Sequence, residues 1–251
     1  MAHRDEILDA LNQWLNPQLF KDYCPNGLQV EGREQVQRIL CGVTACQDLL
    51  DAAVETEADM VLVHHGYFWK GEPEPVVGMK KRRLETLLKH GISLVAYHLP
   101  LDAHPELGNN RCLARQLNLK DAAPLTSEPT ELLWHGRLAQ PATWSELAEQ
   151  LQAVLGQAPL HVGQGAERIE DVVFCTGAAQ GFIQRAIAAG AQAYISGEIS
   201  EPTVHTAREL GIHYFAAGHH ATERYGVQAL GERLADRFGI DCSFVDIPSP
   251  V

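Results

Sequence analysis

The sequence predicts an α/β protein built from two repeated α/β halves, and three observations predict it. Apolar runs of strand length alternate with amphipathic stretches of helix length. The order of these elements recurs in the second half. In both halves, strands run out into histidines and carboxylates. The 251 residues have room for one large or two modest domains, and a 45% apolar content places the chain among globular proteins.

Residues 4–15 read as a helix with Ile7, Leu8, Leu11 and Leu15 on one side. A short extended piece at 27–30 follows. Then come a strand at 38–43, a helix at 47–55, a strand at 60–64, a helix at 79–90, a strand at 93–98 and a helix at 107–117. Proline and serine mark 122–129 as a turn-rich linker. A helix at 145–155 comes next, its start fixed by the T-x-x-E capping box of Thr143 and Glu146. Residues 160–162 are extended, 171–175 a strand, 182–189 a helix, 193–196 a strand and 201–210 a helix. A strand at 213–217, a long helix at 221–238 and a strand at 242–247 close the chain.

The halves align without a gap where ILCGVTACQDLLDAAVETEADMVLVHHG lies against VVFCTGAAQGFIQRAIAAGAQAYISGEI. Ala45, Gln47, Ala53 and Ala58 match Ala178, Gln180, Ala186 and Ala191, and His65 falls opposite Glu198. Alternating strands and helices imply mainly parallel sheets. The repeats divide the chain at 1–125 and 126–251, with exchange of elements between them left open, and two such halves facing each other would bring their strand ends to a common cleft.

A net charge of −12 disfavours a nucleic-acid groove, which needs a basic face. No stretch approaches the length of apolar sequence that spans a bilayer, and MAHRDEILDALNQWL reads as an amphipathic helix rather than a signal peptide. A cytoplasmic location is therefore expected. Cys24, Cys41, Cys46, Cys112, Cys175 and Cys242 are scattered without a CxxC pair and read as small hydrophobes in a reducing compartment.

The chemistry concentrates at three strand ends. The first is His64-His65-Gly66, the second His98-Leu99-Pro100-Leu101-Asp102, and the third Gly218-His219-His220-Ala221-Thr222-Glu223. Ligands of open α/β sheets bind at the carboxyl ends of strands, and imidazole and carboxylate suit Zn, Mn and Fe. Adjacent side chains on a strand point to opposite faces, so His64 and His65 share one ion only if the chain bends at Gly66; otherwise they serve two. His219 and Glu223 lie on one face at the start of the last helix, whose N-terminus should keep the imidazole neutral. Pro100 makes 99–102 a loop, which suits Asp102 as a terminal ligand. His98 and His104 are further candidates for the site or its surroundings. Together His64, His65, Asp102, His219 and Glu223 point to a metal site, with two ions the favoured number.

The motifs YCPNGLQVEG, VHHGYFWKG, YHLPLDAHPELGNN and GHHATERYG resemble the NIF-three-like family, whose bacterial members are labelled GTP cyclohydrolase I type 2 homologues. The resemblance spans nearly the whole chain. It implies two intertwined α/β repeats with mixed sheets and a dinuclear metal centre between them. It also implies a toroidal hexamer, a trimer of dimers, with the sites facing its interior. Carried onto this sequence, the ligands are His64, His65, Asp102, His219 and Glu223, with Glu223 bridging two divalent ions.

Two functions fit. In a hydrolase of nucleotide-like or amide substrates, two cations would activate water, with His98 or His220 shuttling protons. In a non-catalytic metal-binding or regulatory assembly, the same ligands would serve without turnover. Tyr67, Phe68 and Trp69 would stack a base or pack a subunit contact. Lys70, Lys80, Lys81, Arg82, Arg83 and Arg224 could bind phosphates, although a solvated basic helix face is the commoner reading, and no GxxxxGK phosphate loop is present.

Overall fold

Apolar strands and the helices that cover them settle into two packing units in the computed structural model, which describes residues Met1–Val251. One unit comprises Met1–Leu101 with Gly226–Ile247; the other comprises Asp102–Tyr225 with Pro248–Val251. The elements of the first, in chain order, are β1 (Ala2–His3), α1 (Arg4–Leu15), β2 (Gly27–Val30), β3 (Gln35–Val36), β4 (Arg38–Thr44), α2 (Gln47–Glu55), β5 (Met60–His65), α3 (Gly78–His90) and β6 (Ser93–Ala96), and the chain passes to the second unit within α4 (Leu99–Ala103). The second continues with α5 (Asn109–Gln116), β7 (Lys120–Pro124), β8 (Trp134–Ala142), α6 (Trp144–Leu155), β9 (Leu160–Val162), β10 (Ile169–Cys175), α7 (Ile183–Ala188), β11 (Ala193–Ser196), α8 (Glu201–Leu210), β12 (His213–Ala216) and α9 (His219–Thr222). Helix α10 (Arg224–Phe238) and β13 (Asp241–Phe244) then return to the first unit.

The first unit's sheet has the order β13-β4-β5-β6-β2, parallel except where β2 runs against β6. Both faces of β4 and β5 are covered, which is why these strands read as unbroken apolar runs rather than alternating ones. Leu40, Val61, Val63 and Leu94 of the strands pack with Leu49, Leu50 and Leu87 of the helices.

The second unit's sheet has the order β7-β8-β10-β11-β12-β9. Its centre, β10-β11-β12, is parallel, and β7, β8 and β9 are antiparallel. Two cores flank it with the two-residue period of a strand. Phe174, Ile195 and Phe215 face Leu147 and Leu151 of α6, whereas Val173, Tyr194 and Tyr214 face Ile183 and Ala186 of α7. The capping box is formed: Thr143 Oγ1 accepts the Glu146 N–H at 3.3 Å and Glu146 Oε2 accepts the Thr143 N–H at 2.7 Å, a start worth about 1 kcal/mol.

The two sheets share a pattern. Each has three successive parallel strands with an antiparallel edge strand beside the third: β4-β5-β6 with β2, and β10-β11-β12 with β9. The sequence alignment sets β4 on β10 and β5 on β11. The fold is thus a mixed α/β architecture in which topology parallels the sequence match.

Several elements differ from the sequence expectation. The packing units exchange elements across 125/126: β7 hydrogen-bonds β8 in the second sheet, and β13 completes the first by pairing with β4. The expected 122–129 linker is therefore strand as far as Pro124. Strand β8 had no predicted counterpart. The long helix expected over 221–238 is two helices broken at Glu223, where φ is −109° and ψ 9°. The segment after His98 is a one-turn helix, not a loop, because Pro100 sits in its first turn, where no N–H is needed. The last strand ends at Phe244 and β6 at Ala96, each shorter than expected. No helix is long and apolar enough to cross a membrane.

Candidate metal centre

In the first unit, His64 and His65 are the last two residues of β5, and His98 lies two residues beyond β6. Their ligand atoms fall within 4.8 Å of one another. The His64 and His65 rings are 4.5 Å apart and tilted by 46°, so the strand end brings both imidazoles together instead of sending them to opposite faces. Gly66 contributes close approach, not a left-handed bend: a Cβ there would stand 2.1 Å from Gln29 Oε1, the atom that accepts the Tyr67 N–H.

Each of these imidazoles is held through Nδ1. His64 Nδ1–H donates to the Tyr97 carbonyl at 3.0 Å, and because a carbonyl only accepts, this leaves a lone pair on Nε2. His65 Nδ1 lies 3.1 Å from Thr44 Oγ1, and His98 Nδ1 lies 2.6 Å from Asp22 Oδ1. Asp22 also accepts the Leu99 N–H and the Asn26 amide, while Asn26 Oδ1 accepts the His98 N–H at 2.7 Å. The 22–26 loop thereby clamps both His98 and the first turn of α4. Burial works to raise the Asp22 carboxyl's pKa, but the bonds from His98 and Asn26 hold it below the ordinary carboxylate range.

In the second unit, His219 opens α9 and Glu223 follows it directly, with His219 Nε2 3.1 Å from Glu223 Oε2. The other ring nitrogen, Nδ1, lies 2.7 Å from Glu198 Oε1. Burial alone would depress the His219 pKa, yet Glu223 and then Glu198 raise it to about 9. The two carboxylates thus act on this imidazole against the effect expected of the helix N-terminus, here a single turn. Asp102, on α4, accepts from Asn109 Nδ2 at 2.8 Å and from Thr176 Oγ1 at 3.4 Å. Gly177 makes room for Glu223: with φ at +68°, a Cβ would stand 2.0 Å from Glu223 Oε1. Asp102 and Glu223 are only 6% and 3% exposed. Carboxylates so buried need cationic partners or a metal ion.

The structure thus brings His64, His65 and His98 together in the first unit and pairs His219 with Glu223 in the second. Three of these four histidines, His64, His98 and His219, spend Nδ1 on a carbonyl or carboxylate, the arrangement that sets a ligating histidine's tautomer. Imidazole and carboxylate donors of this kind fit a borderline divalent ion. His104 turns elsewhere, its Nδ1 accepting the N–H groups of Glu106 and Leu107. The His220 side chain is half-buried on α9, and the His220 backbone N–H donates to the Val251 carbonyl.

The aromatic trio has divided roles. Tyr67 is core, its hydroxyl donating to the Ala45 carbonyl at 2.8 Å. Trp69 stands edge-on to His98 with ring centres 5.0 Å apart, and Phe68 carries the Lys80 ammonium at 5.4 Å. Arg224 donates to the Leu155 carbonyl and Lys80 to that of Pro73, whereas Lys70, Lys81 and Arg82 are exposed. Asp22, Asn26, Thr44, Thr176, Gly177 and Glu198 went unassigned at the sequence level. The one available signal was the alignment of Glu198 with His65.

The sequence pattern of the Duf34/NIF3 (NGG1p interacting factor 3) family matches residues 2–250. The chain belongs to that family. It is 57% identical over 245 residues to a Pseudomonas aeruginosa protein named GTP cyclohydrolase 1 type 2 homolog, covering 97% of each chain. An Escherichia coli protein of the same name is 51% identical over 246 residues, with 98% of each covered. Among solved structures, protein ybgI, of unknown function, superposes with a TM-score of 0.95 at 50% identity over 100% of both chains. A Thermus thermophilus member gives a TM-score of 0.91 at 37% identity, again over 100% of both. The NIF3 family thus accounts for the whole chain.

Proposed function

We propose that this NIF3 protein holds two divalent ions through His64, His65, Asp102, His219 and Glu223, with Glu223 as the bridge, and that it is a metal-dependent hydrolase of a nucleotide-like substrate. The observation that carries the metal reading is the shared disposition of the histidines, each fixed through Nδ1, together with two buried carboxylates. The relatives' name, GTP cyclohydrolase 1 type 2 homolog, supports the substrate class.

The residues have distinct tasks. Tyr97 and Thr44 orient His64 and His65, and Glu198 orients His219. Asn109 and Thr176 fix Asp102, and Gly177 leaves the space that Glu223 occupies. When bound, the ions supply Lewis acidity and ready deprotonation of water near neutral pH. His220 is available as a proton carrier, and Trp69 limits solvent access beside His98. The assembly in this reading is a ring of six copies, a trimer of dimers, supported by the family resemblance and by the rule that soluble homo-oligomers close on themselves.

The test is a screen of metal-reconstituted protein against nucleotides and amides. Turnover of GTP or another nucleotide by the native chain, lost in Asp102→Asn, is the expected result. A fully metallated native chain that turns over none of the panel would remove the hydrolase and leave a metal-binding protein.

A further inference from the structure

We infer that the second unit carries a binding site for a free nucleobase or its uncharged nucleoside, in a surface cavity of about 350 Å³ between the C-terminal end of α5, β8 and α6. None of its residues is a candidate metal ligand, and the inference stands whether or not the hydrolase reading does.

The lining carries the argument. Gln116 closes α5, Asn118 stands in the turn after it, Gln140 lies on β8 and Gln150 on α6. Asparagine and glutamine make up 22 of the chain's 251 residues but four of the eight around this cavity. None of the four amide groups hydrogen-bonds another group of the chain, so their donors and acceptors are open to a ligand. No charged side chain lines the cavity, although 21% of the chain is charged. An anion would find no cation here to neutralise it, and a cation no carboxylate.

A carboxamide presents a C=O acceptor beside an N–H donor. The edges of nucleobases carry the same pair in complementary order, which is why Asn and Gln bond adenine through two hydrogen bonds at once. The rest of the lining suits the faces of such a ring. Leu117 and Val154 offer apolar surface, and both pack into the core beneath. Ala139 and Ala153 are short side chains at exposed positions, and they leave the volume that a larger residue would fill. Pockets for a single base combine these features, apolar contact on its faces and hydrogen bonds at its edge. The turn is held before any ligand arrives. Asn118 is left-handed with φ at +51°, its N–H donates to the Arg115 carbonyl at 3.0 Å, and the Leu119 N–H donates to the Ala114 carbonyl at 2.9 Å. A site ordered in advance loses less entropy on association. The volume lies at the small end of ligand pockets, which run to about 300–1,000 Å³, and this favours a base or nucleoside over a larger molecule.

The experiment is isothermal titration calorimetry of the full chain with adenine, adenosine, guanosine, cytidine and uridine, with glucose as the control. It is run on the chain as purified and after treatment with a chelator, and circular dichroism reports folding. At least one base or nucleoside is expected to bind, with the same affinity in both preparations, and glucose is not. Gln140→Ala and Gln150→Ala are each expected to weaken binding about 3- to 10-fold, the loss of a hydrogen bond. Ala153→Leu fills the cavity with a residue that suits a helix and is expected to abolish binding. A native chain that binds no base or nucleoside overturns the site, as does one that binds glucose equally well. Binding that vanishes with the chelator belongs to the metal centre and overturns it too. So does native affinity in Ala153→Leu; if that variant does not fold, native affinity in both glutamine variants decides the matter in the same sense.

Discussion

Glu198 Oε1 stands 2.7 Å from His219 Nδ1, and Glu198 is the residue that the internal repeat sets opposite His65. One repeat thus places an imidazole at a strand end where the other places the carboxylate that orients an imidazole. If that orientation matters, Glu198→Gln keeps the shape and loses the charge behind His219. Metal affinity should fall about 10- to 100-fold, measured by competition with a chromophoric chelator. Unchanged affinity would show that Glu198 is merely a neighbour.

Gly177→Ala should cost more than its backbone. A left-handed alanine costs about 1–3 kcal/mol, and the added Cβ would stand 2.0 Å from Glu223 Oε1. Gly190→Ala is the matched control, with φ at +80° and nothing within 4 Å of its Cβ. Both variants should melt lower than the native chain, but only Gly177→Ala should lose metal. Equal metal content in the two would contradict the role given to Gly177.

Stability should depend on pH through a histidine pair outside the candidate ligand set. His161 Nε2 lies 3.0 Å from His213 Nδ1, and His213 Nε2–H donates to the Ala166 carbonyl, so His161 is the donor within the pair. Burial, and then His213, lowers the His161 pKa from 6.5 to about 4. The unfolded chain therefore takes up this proton before the folded chain does. The contribution is complete above pH 6.5 and is lost as pH falls from there towards about 4. His161→Gln should flatten that part of the profile of denaturation midpoint against pH. A profile that drops as steeply in the variant would place the dependence on other groups.

Light scattering at micromolar concentration should find a closed oligomer near six times the 27.6 kDa chain. A species of single-chain mass alone would refute the ring.

What was legible in the sequence was local or strongly periodic. The apolar runs of β4 and β5 and the Thr143 capping box were plain because burial on both faces and a cap leave short-range marks. Strand β8 also has a mark: Trp134, Gly136 and Leu138 are buried while His135, Arg137 and Ala139 are exposed. Gly136 and Pro141 obscured it, and at Gly136 the Leu119 side chain approaches to 3.2 Å from where a Cβ would be. The break at Glu223 has no proline or glycine to announce it. The return of β13 to β4 and the bond from Asp22 to His98, across 76 residues, are products of tertiary packing. Ligand-type residues could thus be read from strand ends, whereas the groups that orient them could not.

The central claim, that this chain is a divalent-metal protein whose ions depend on Glu223, is tested most directly by elemental analysis of the native chain and of Glu223→Ala, each purified gently under metal-replete conditions. About two divalent ions per native chain, both lost from the variant because the bridge serves both, is the predicted result. A native chain with metal content near zero, or a variant that keeps two ions, would contradict it.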